Sequence, residues 1–386
     1  VKMQEIIVRE GKKDDPKMTV LLEEAVNSYT KTYMAGNQAL GRNLDANAMR
    51  NHFYRFPGVD NDKDKTLSAM LRMAVIAQTQ ERYEKAPVET DEQRAEKAAL
   101  EGLVKQLFVE LKRDFKPSDL PPYTLVKLGM HLAGTSQPEE SISYFDEILD
   151  PSEPDPVRKK ARINGMSKYR KNAVFGKAVA LGRSKDNAKV DTAIKMMRDE
   201  LSKEESSSNP DRKAMEDAQY NLVKFTSARQ DWPAVIAAAD KYRENKTYKK
   251  NLPEVLYLQG EAYLKQNELD KALINFMNIT GTYKGLVKWS APAVLAQMDT
   301  LWKRNTMSQG VGKQPSDRYV AWKAGSQYVQ LLDTPANRKK MTAEDSALVN
   351  EVKDKTAKFG SDPAVSQERA DIAAYEAAVR AAKGQK

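Results

Sequence analysis

The 386-residue chain contains no cysteine. Disulfides, thiolate metal sites and cysteine nucleophiles are therefore excluded. Histidine is almost as scarce: His52 and His131 are the only two. Each falls in an expected helix with no carboxylate or nucleophile pattern beside it. There is no phosphate-cradling glycine loop, no HExxH and no G-x-S-x-G. The expectation is a protein that is not an enzyme and that uses no metal or cofactor, with an all-helical, carboxylate-dependent hydrolase as the surviving catalytic alternative. No apolar run is long enough to span a bilayer. The chain opens at Val1 rather than Met and carries no signal peptide, which reads as a mature or trimmed product. With the missing cysteines, this favours an exported, periplasmic bacterial protein over a cytoplasmic one.

Hydrophobic residues make up 40% of the chain and charged residues 30%, which suits a helical protein with much exposed surface. The net charge is +9. That excess favours acidic partners: nucleic acid, an anionic lipid or polymer, or an acidic protein face. No nucleic-acid reading motif accompanies it, so nucleic acid ranks last.

The clearest local signal is NLPEVLYLQGEAYLKQNELDKALINFMNITG, Asn251 to Gly281. Asn251 is placed to cap a helix, with Glu254 returning a bond to the backbone. Pro253 is tolerated in the first turn. Val255, Leu256, Leu258, Ala262, Tyr263 and Leu264 follow at helical spacing. Gln266-Asn267-Glu268 is a short polar connection. Leu269, Ala272, Leu273, Phe276 and Ile279 form a second apolar stripe, and Gly281 suits the C-terminal cap. Gly260 and Ala272 are small, so the two helices are expected to cross closely, with Tyr263 and Phe276 filling the space beside them. Neither helix is long enough to be stable alone, so the pair depends on its shared buried face.

Gly260, Tyr263, Ala272 and Phe276 resemble the signature of the tetratricopeptide repeat, a helix–turn–helix unit of about 34 residues. Leu256 stands where that family prefers Trp, and Lys284 where Pro is usual. The resemblance implies an all-α fold of helix hairpins stacked into a right-handed superhelical array. Its concave groove would hold a protein or peptide partner, lined by the first helix of each pair. Lys224 and Tyr257 are the groove candidates on that analogy.

The pattern recurs. Leu128, Gly129 and Leu132 match Gln259, Gly260 and Tyr263; Ser141, Phe145 and Ile148 match Ala272, Phe276 and Ile279. Val157–Leu201 and Ala214–Tyr242 read as further pairs. The equivalent small positions Ser141, Ala193, Val235 and Ala272 are separated by 52, 42 and 37 residues. Upstream, Val1–Arg9 reads as a short strand or extended arm, Thr19–Ala35 and Asn47–Phe56 as helices, and Thr66–Lys85 with Asp91–Phe115 as a first hairpin. Asp60, Asp62 and Asp64 alternate as calcium ligands would, but Lys65 and Leu71 replace the glycine and the bidentate glutamate of a calcium loop. A solvated capping loop is the reading taken. Downstream, helices are expected over Pro292–Arg304, Asp317–Asp333, Ala343–Phe359 and Gln367–Lys383, the last capping the array with Ile372, Tyr375 and Val379. Asn305–Ser316, with Gly310 and Gly312, is the expected hinge. Three regions follow: 1–118 helical, 119–285 repeat-like, and 286–386 helical with the cap.

Two features are candidates for function. The run Val157–Lys185 holds ten cations and no acid. Arg158, Arg162, Lys168, Lys171 and Asn172 are its candidate contacts for an acidic partner, and Lys168 with Asn172, four apart, resembles the carboxylate clamp of some tetratricopeptide domains. Cations at a helix start are unfavourable, so Glu153 and Asp155 or an external anion must offset them. Three of the four tryptophans, Trp289, Trp302 and Trp322, cluster with Tyr319 and Tyr328. Exposed, they would stack on a glycan; at helical spacing, they would be core.

Overall fold

The computed structural model describes residues 24, 26, 28–33, 35, 36, 39, 65–88, 90–135, 137–338 and 341–384. The expected N-terminal strand or arm, the Asn47–Phe56 helix, the acidic loop and His52 lie outside these residues. Of the Thr19–Ala35 helix, residues 28–33 are helical, and Val26 and Tyr29 are buried. Every regular element among the described residues is helical, as the all-α expectation requires. The chain separates into two units, Val1–Met196 and Met197–Lys386.

In the first unit, α1 (Lys65–Lys85) pairs with α2 (Asp91–Asp114). Thr90 starts α2 with a full capping box to Gln93. α3 (Pro122–Ala133), α4 (Ile142–Leu149) and α6 (Arg170–Gly182) pack on one another, and α3 also meets α1 and α2. Between α4 and α6 lies α5 (Pro156–Gly165). One core joins Ile76, Phe108, Phe115, Leu120, Leu125 and Phe145. The cluster draws residues from both sides of position 118. Phe145 is fully buried, and a Cβ on Gly129 of α3 would lie 2.8 Å from its ring; Gly176 of α6 meets the same ring. The expected two-helix pair over Val157–Leu201 is three helices, because Met166 ends α5 and a 3-10 turn, Ser167–Tyr169, precedes α6. The third, α7 (Asn187–Glu205), runs past the division between the units.

In the second unit, eight long helices follow in hairpins: α8 (Arg212–Ala228) with α9 (Trp232–Glu244), α10 (Leu252–Lys265) with α11 (Leu269–Thr282), α12 (Val287–Arg304) with α13 (Asp317–Leu332), and α14 (Ala343–Gly360) with α15 (Pro363–Gly384). A single helical turn, Pro335–Arg338, precedes α14. Each helix from α8 to α15 packs on the next. The first helices also touch in series, α8 on α10, α10 on α12 and α12 on α14. α11 packs on α12.

The first two hairpins repeat in hydrogen-bond detail. In α8–α9, Arg229 N bonds Phe225 O, Gln230 N bonds Ser227 O, and Asp231 N bonds Thr226 O; in α10–α11, Gln266 N bonds Ala262 O, Asn267 N bonds Leu264 O, and Glu268 N bonds Tyr263 O. Each pair of positions is 37 residues apart. Gln230 and Asn267 both take left-handed φ, 58° and 62°. This is a Schellman turn, which satisfies the last carbonyls of the first helix and reverses the chain.

The crossing at Gly260 is close, as expected, but its partner is the Phe276 ring. A Cβ on Gly260 would stand 2.6 Å from Phe276 Cε1, and Phe276 is fully buried. Ala272 is also fully buried, in the cluster of Leu256, Phe276, Ile279 and Ala293. Three local expectations are corrected. Asn251 makes no side-chain cap bond; the Glu254 carboxylate accepts from Tyr220 on the neighbouring hairpin, and Asn251 N donates to the Tyr242 hydroxyl at 3.3 Å. Gly281 lies inside α11, whose cap is Tyr283. α12 begins at Val287, with Pro292 in its interior. Proline there removes one backbone donor and costs ~3 kcal/mol relative to Ala. The extra turn is held by burial of Val287 and Ala291, and by the Ser290 hydroxyl, which lies 2.7 Å from the Tyr328 hydroxyl.

The expected hinge at Asn305–Ser316 is clamped at its base. Arg304 donates to both carboxylate oxygens of Asp317 at 2.8 and 2.6 Å, and Thr306 N donates to Asp317 at 2.8 Å. Ser316 N donates to Glu368 of α15 at 2.8 Å. α15 packs on α13 and α14 through its first turns, where Val365 is fully buried. Its proposed capping stripe is less covered: Tyr375 is exposed, and Ile372 and Val379 are half-buried.

Candidate binding surface

The serial contacts of α8, α10, α12 and α14 create one continuous layer of first helices. α8 contributes Tyr220 and Lys224, one turn apart. The Tyr220 hydroxyl donates to Glu254 of α10 at 2.5 Å, and Lys224 Nζ lies 3.5 Å from the same carboxylate. Lys224 also sits over the Tyr220 ring at 5.3 Å. Burial, and then the Glu254 bond, push the Tyr220 hydroxyl well above its ordinary range.

On α10, Glu254, Tyr257 and Glu261 follow at steps of three and four, so they share a face. Tyr257 is half-buried and tilts against Phe276 with centroids 5.8 Å apart. Its hydroxyl faces the Glu261 carboxyl, one turn on. It is pushed up to about 12, chiefly by burial, then by the charge of Glu261, with Asp299 of α12 and Glu351 of α14 adding to it. Burial also raises the Glu261 carboxyl. Asp299 pairs with Lys355 of α14 at 2.6 Å. Polar pairs thus join α8 to α10 and α12 to α14, and the charges of carboxylates from three helices act on Tyr257. Of this set, sequence reasoning named Lys224 and Tyr257. Glu254 and Glu261 were legible as helical neighbours of Tyr257; Asp299 and Lys355 depend on which helices meet.

The basic run is more internally engaged than its composition implies. Asp155 caps α5, accepting from Val157 N at 2.8 Å and Arg158 N at 2.9 Å. The unfavourable cations at that helix start are therefore met from within the chain. Lys159 pairs with Asp150 at 2.6 Å, and Lys177 with Asp146 at 2.6 Å. Arg162 lies 3.0 Å from buried Glu147 and donates to Ser118 O at 3.2 Å. Arg183 donates to Ala133 O at 2.5 Å. Lys171 is half-buried and engaged. Arg158, Lys168 and Asn172 are exposed, with Lys168 over the Tyr169 ring at 4.9 Å. Lys168 lies in the 3-10 turn and Asn172 in the first turn of α6. Their four-residue step crosses a junction and does not lie along one α-helix.

The tryptophans are packed. Trp302 stacks on Phe359 at 4.0 Å, with the Arg318 guanidinium 4.9 Å from its ring. Trp322 lies under Arg369 at 4.1 Å. Trp289 is half-buried against the α10–α11 core. Tyr319 and Tyr328 are buried. A sugar would have to displace side chains already stacked on Trp302 and Trp322.

His131 stacks on Phe108 at 3.9 Å, and burial with nearby Lys105 lowers its pKa. Among the described residues, no group of three or more His, Asp or Glu is arranged to hold a metal, and no helix is long and apolar enough to cross a membrane. No protein-family model matches the chain, and no curated protein matches it.

Proposed function

We propose that this protein is a non-catalytic scaffold of tetratricopeptide-like type. It holds a protein or peptide segment on the first-helix layer of its second unit, as part of assembling or retaining a larger complex in an exported bacterial setting. The observation that carries the reading is the two hairpins repeating one turn at a 37-residue offset, with their first helices in series. Such a layer joins side chains from distant parts of the chain into one extended surface, the property that repeat proteins use for binding. Lys224, Tyr257, Asp299 and Lys355 would meet the partner there. The exposed cations of the basic run, Arg158 and Lys168 with Asn172 beside them, are a second contact for an acidic segment.

The test is recovery of a partner from source cells with tagged protein. Tyr257→Ala with Asp299→Arg should abolish recovery. Ile274→Ser with Met277→Ser, on exposed positions of α11, should leave it intact. The opposite pattern would refute the assignment. Steep loss of binding with salt would assign the contact to the basic run. Salt indifference combined with loss in Trp322→Ala would favour a stacked glycan instead.

A further inference from the structure

A groove of about 340 Å³ lies between α7, α8 and α9, entirely within the second unit. The apolar part of its wall is Leu201, Leu222 and the alanines Ala234, Ala237 and Ala238. Two polar side chains of the wall bond to the backbone. Thr226 Oγ1 donates to Leu222 O at 2.7 Å, and Gln219 Nε2 donates to Ala238 O at 2.9 Å. Two cations line the same groove, Arg198 of α7 and Lys241 of α9. Both are exposed, and neither has an ion pair among the described residues. Glu205, near the end of α7, is the one carboxylate in the lining, so the groove keeps an excess of one positive charge.

We propose that this groove binds a single-chain anionic amphiphile. The alkyl chain lies along the alanines, and the anionic head is met by Arg198 and Lys241 at the rim. Size selects this occupant. Eleven residues line the groove, whereas a stable protein interface takes roughly 20–30 a side. Its volume falls at the lower end of the ~300–1,000 Å³ of small-molecule sites. Long cationic side chains also suit the task, since their methylene stems cover an alkyl chain while the charge stays in water. This site takes Gln219, Leu222 and Thr226 from α8, but none of Lys224, Tyr257, Asp299 and Lys355, and it does not rest on the scaffold reading.

The experiment is calorimetric titration of the full chain with octanoate, decanoate and dodecanoate below their micellar concentrations. Affinity should rise up to about fourfold per added methylene, with a negative heat-capacity change on binding. Dodecyl phosphate should bind like dodecanoate if the head is read as charge alone; markedly weaker binding would assign the site to carboxylates. Dodecyltrimethylammonium should bind at least tenfold more weakly than dodecanoate. Ala237→Phe, at an exposed position, should block the chain. Arg198→Glu with Lys241→Glu should weaken dodecanoate at least tenfold and leave dodecanol unchanged. The proposal is overturned if dodecanoate shows no saturable binding, if the cationic amphiphile binds equally well, or if neither variant changes the affinity.

Discussion

Alanine normally stabilises a helix interior relative to glycine, by about 0.5–1 kcal/mol. At Gly260 the sign should reverse. Its new methyl would stand 2.6, 2.9 and 3.1 Å from Cε1, Cζ and Cδ1 of Phe276. Phe276 is fully buried and braced by Tyr257, so its ring has no open side to retreat to. Overpacking of this kind costs about 1–3 kcal/mol, leaving a net loss of up to about 2.5 kcal/mol after the helix gain. A Cβ added at Gly281, in the same hairpin, would meet nothing within 4 Å; there alanine should stabilise by up to about 0.5 kcal/mol. The chain has two units, so a single global transition is the wrong readout. Amide exchange over residues 252–282 in the full protein reads the hairpin directly. Gly260→Ala should speed exchange there, Gly281→Ala should slow it, and Phe276→Leu should relieve the Gly260→Ala defect as a coupled pair does. If Gly260→Ala protects the hairpin as Gly281→Ala does, the close crossing is refuted.

Trp302→Ala should destabilise α12–α14 by at least about 2 kcal/mol, read by amide exchange over residues 287–360, because the ring is sandwiched; a change under about 0.5 kcal/mol would return it to the surface. Glu254→Gln should destabilise α8–α10 more than Lys224→Ala does, since Glu254 also accepts the Tyr220 hydroxyl. The Lys224–Glu254 coupling itself should stay within about 0.2–1 kcal/mol in a double-mutant cycle. The Asp114 carboxyl is held at about 2, first by the Arg113 hydrogen bond and further by Arg72 of α1. Its folded pKa is depressed below the ordinary 3.8, so its contribution is present above that value and lost as pH falls toward 2. Asp114→Asn should flatten the acid dependence of α1–α2 amide exchange in that window, and an unchanged profile would contradict the pairing.

The hairpins were legible because their signals are local. Gly129 with Phe145 and Gly260 with Phe276 recur at the same step, and the Trp232-Pro233 start of α9 falls where a helix start tolerates proline. What failed depended on distant partners. Glu254 has the right spacing for a capping box, but Tyr220, 34 residues away, takes its carboxylate. Pro292 looked like a helix start because nothing local reveals that Tyr328 supports the turn before it. The basic run read as a free surface until Asp146, Glu147 and Asp150 were placed opposite it. The groove at Arg198 and Lys241 has no sequence signature, since three helices must meet to form it.

The most direct measurement of the scaffold claim is amide exchange of the full protein with and without its recovered partner. The expected result is protection on the first helices α8, α10, α12 and α14, concentrated at residues 220–224, 254–261, 299 and 351–355. Protection confined to α9, α11 and α13, with those first-helix segments unchanged, would contradict it.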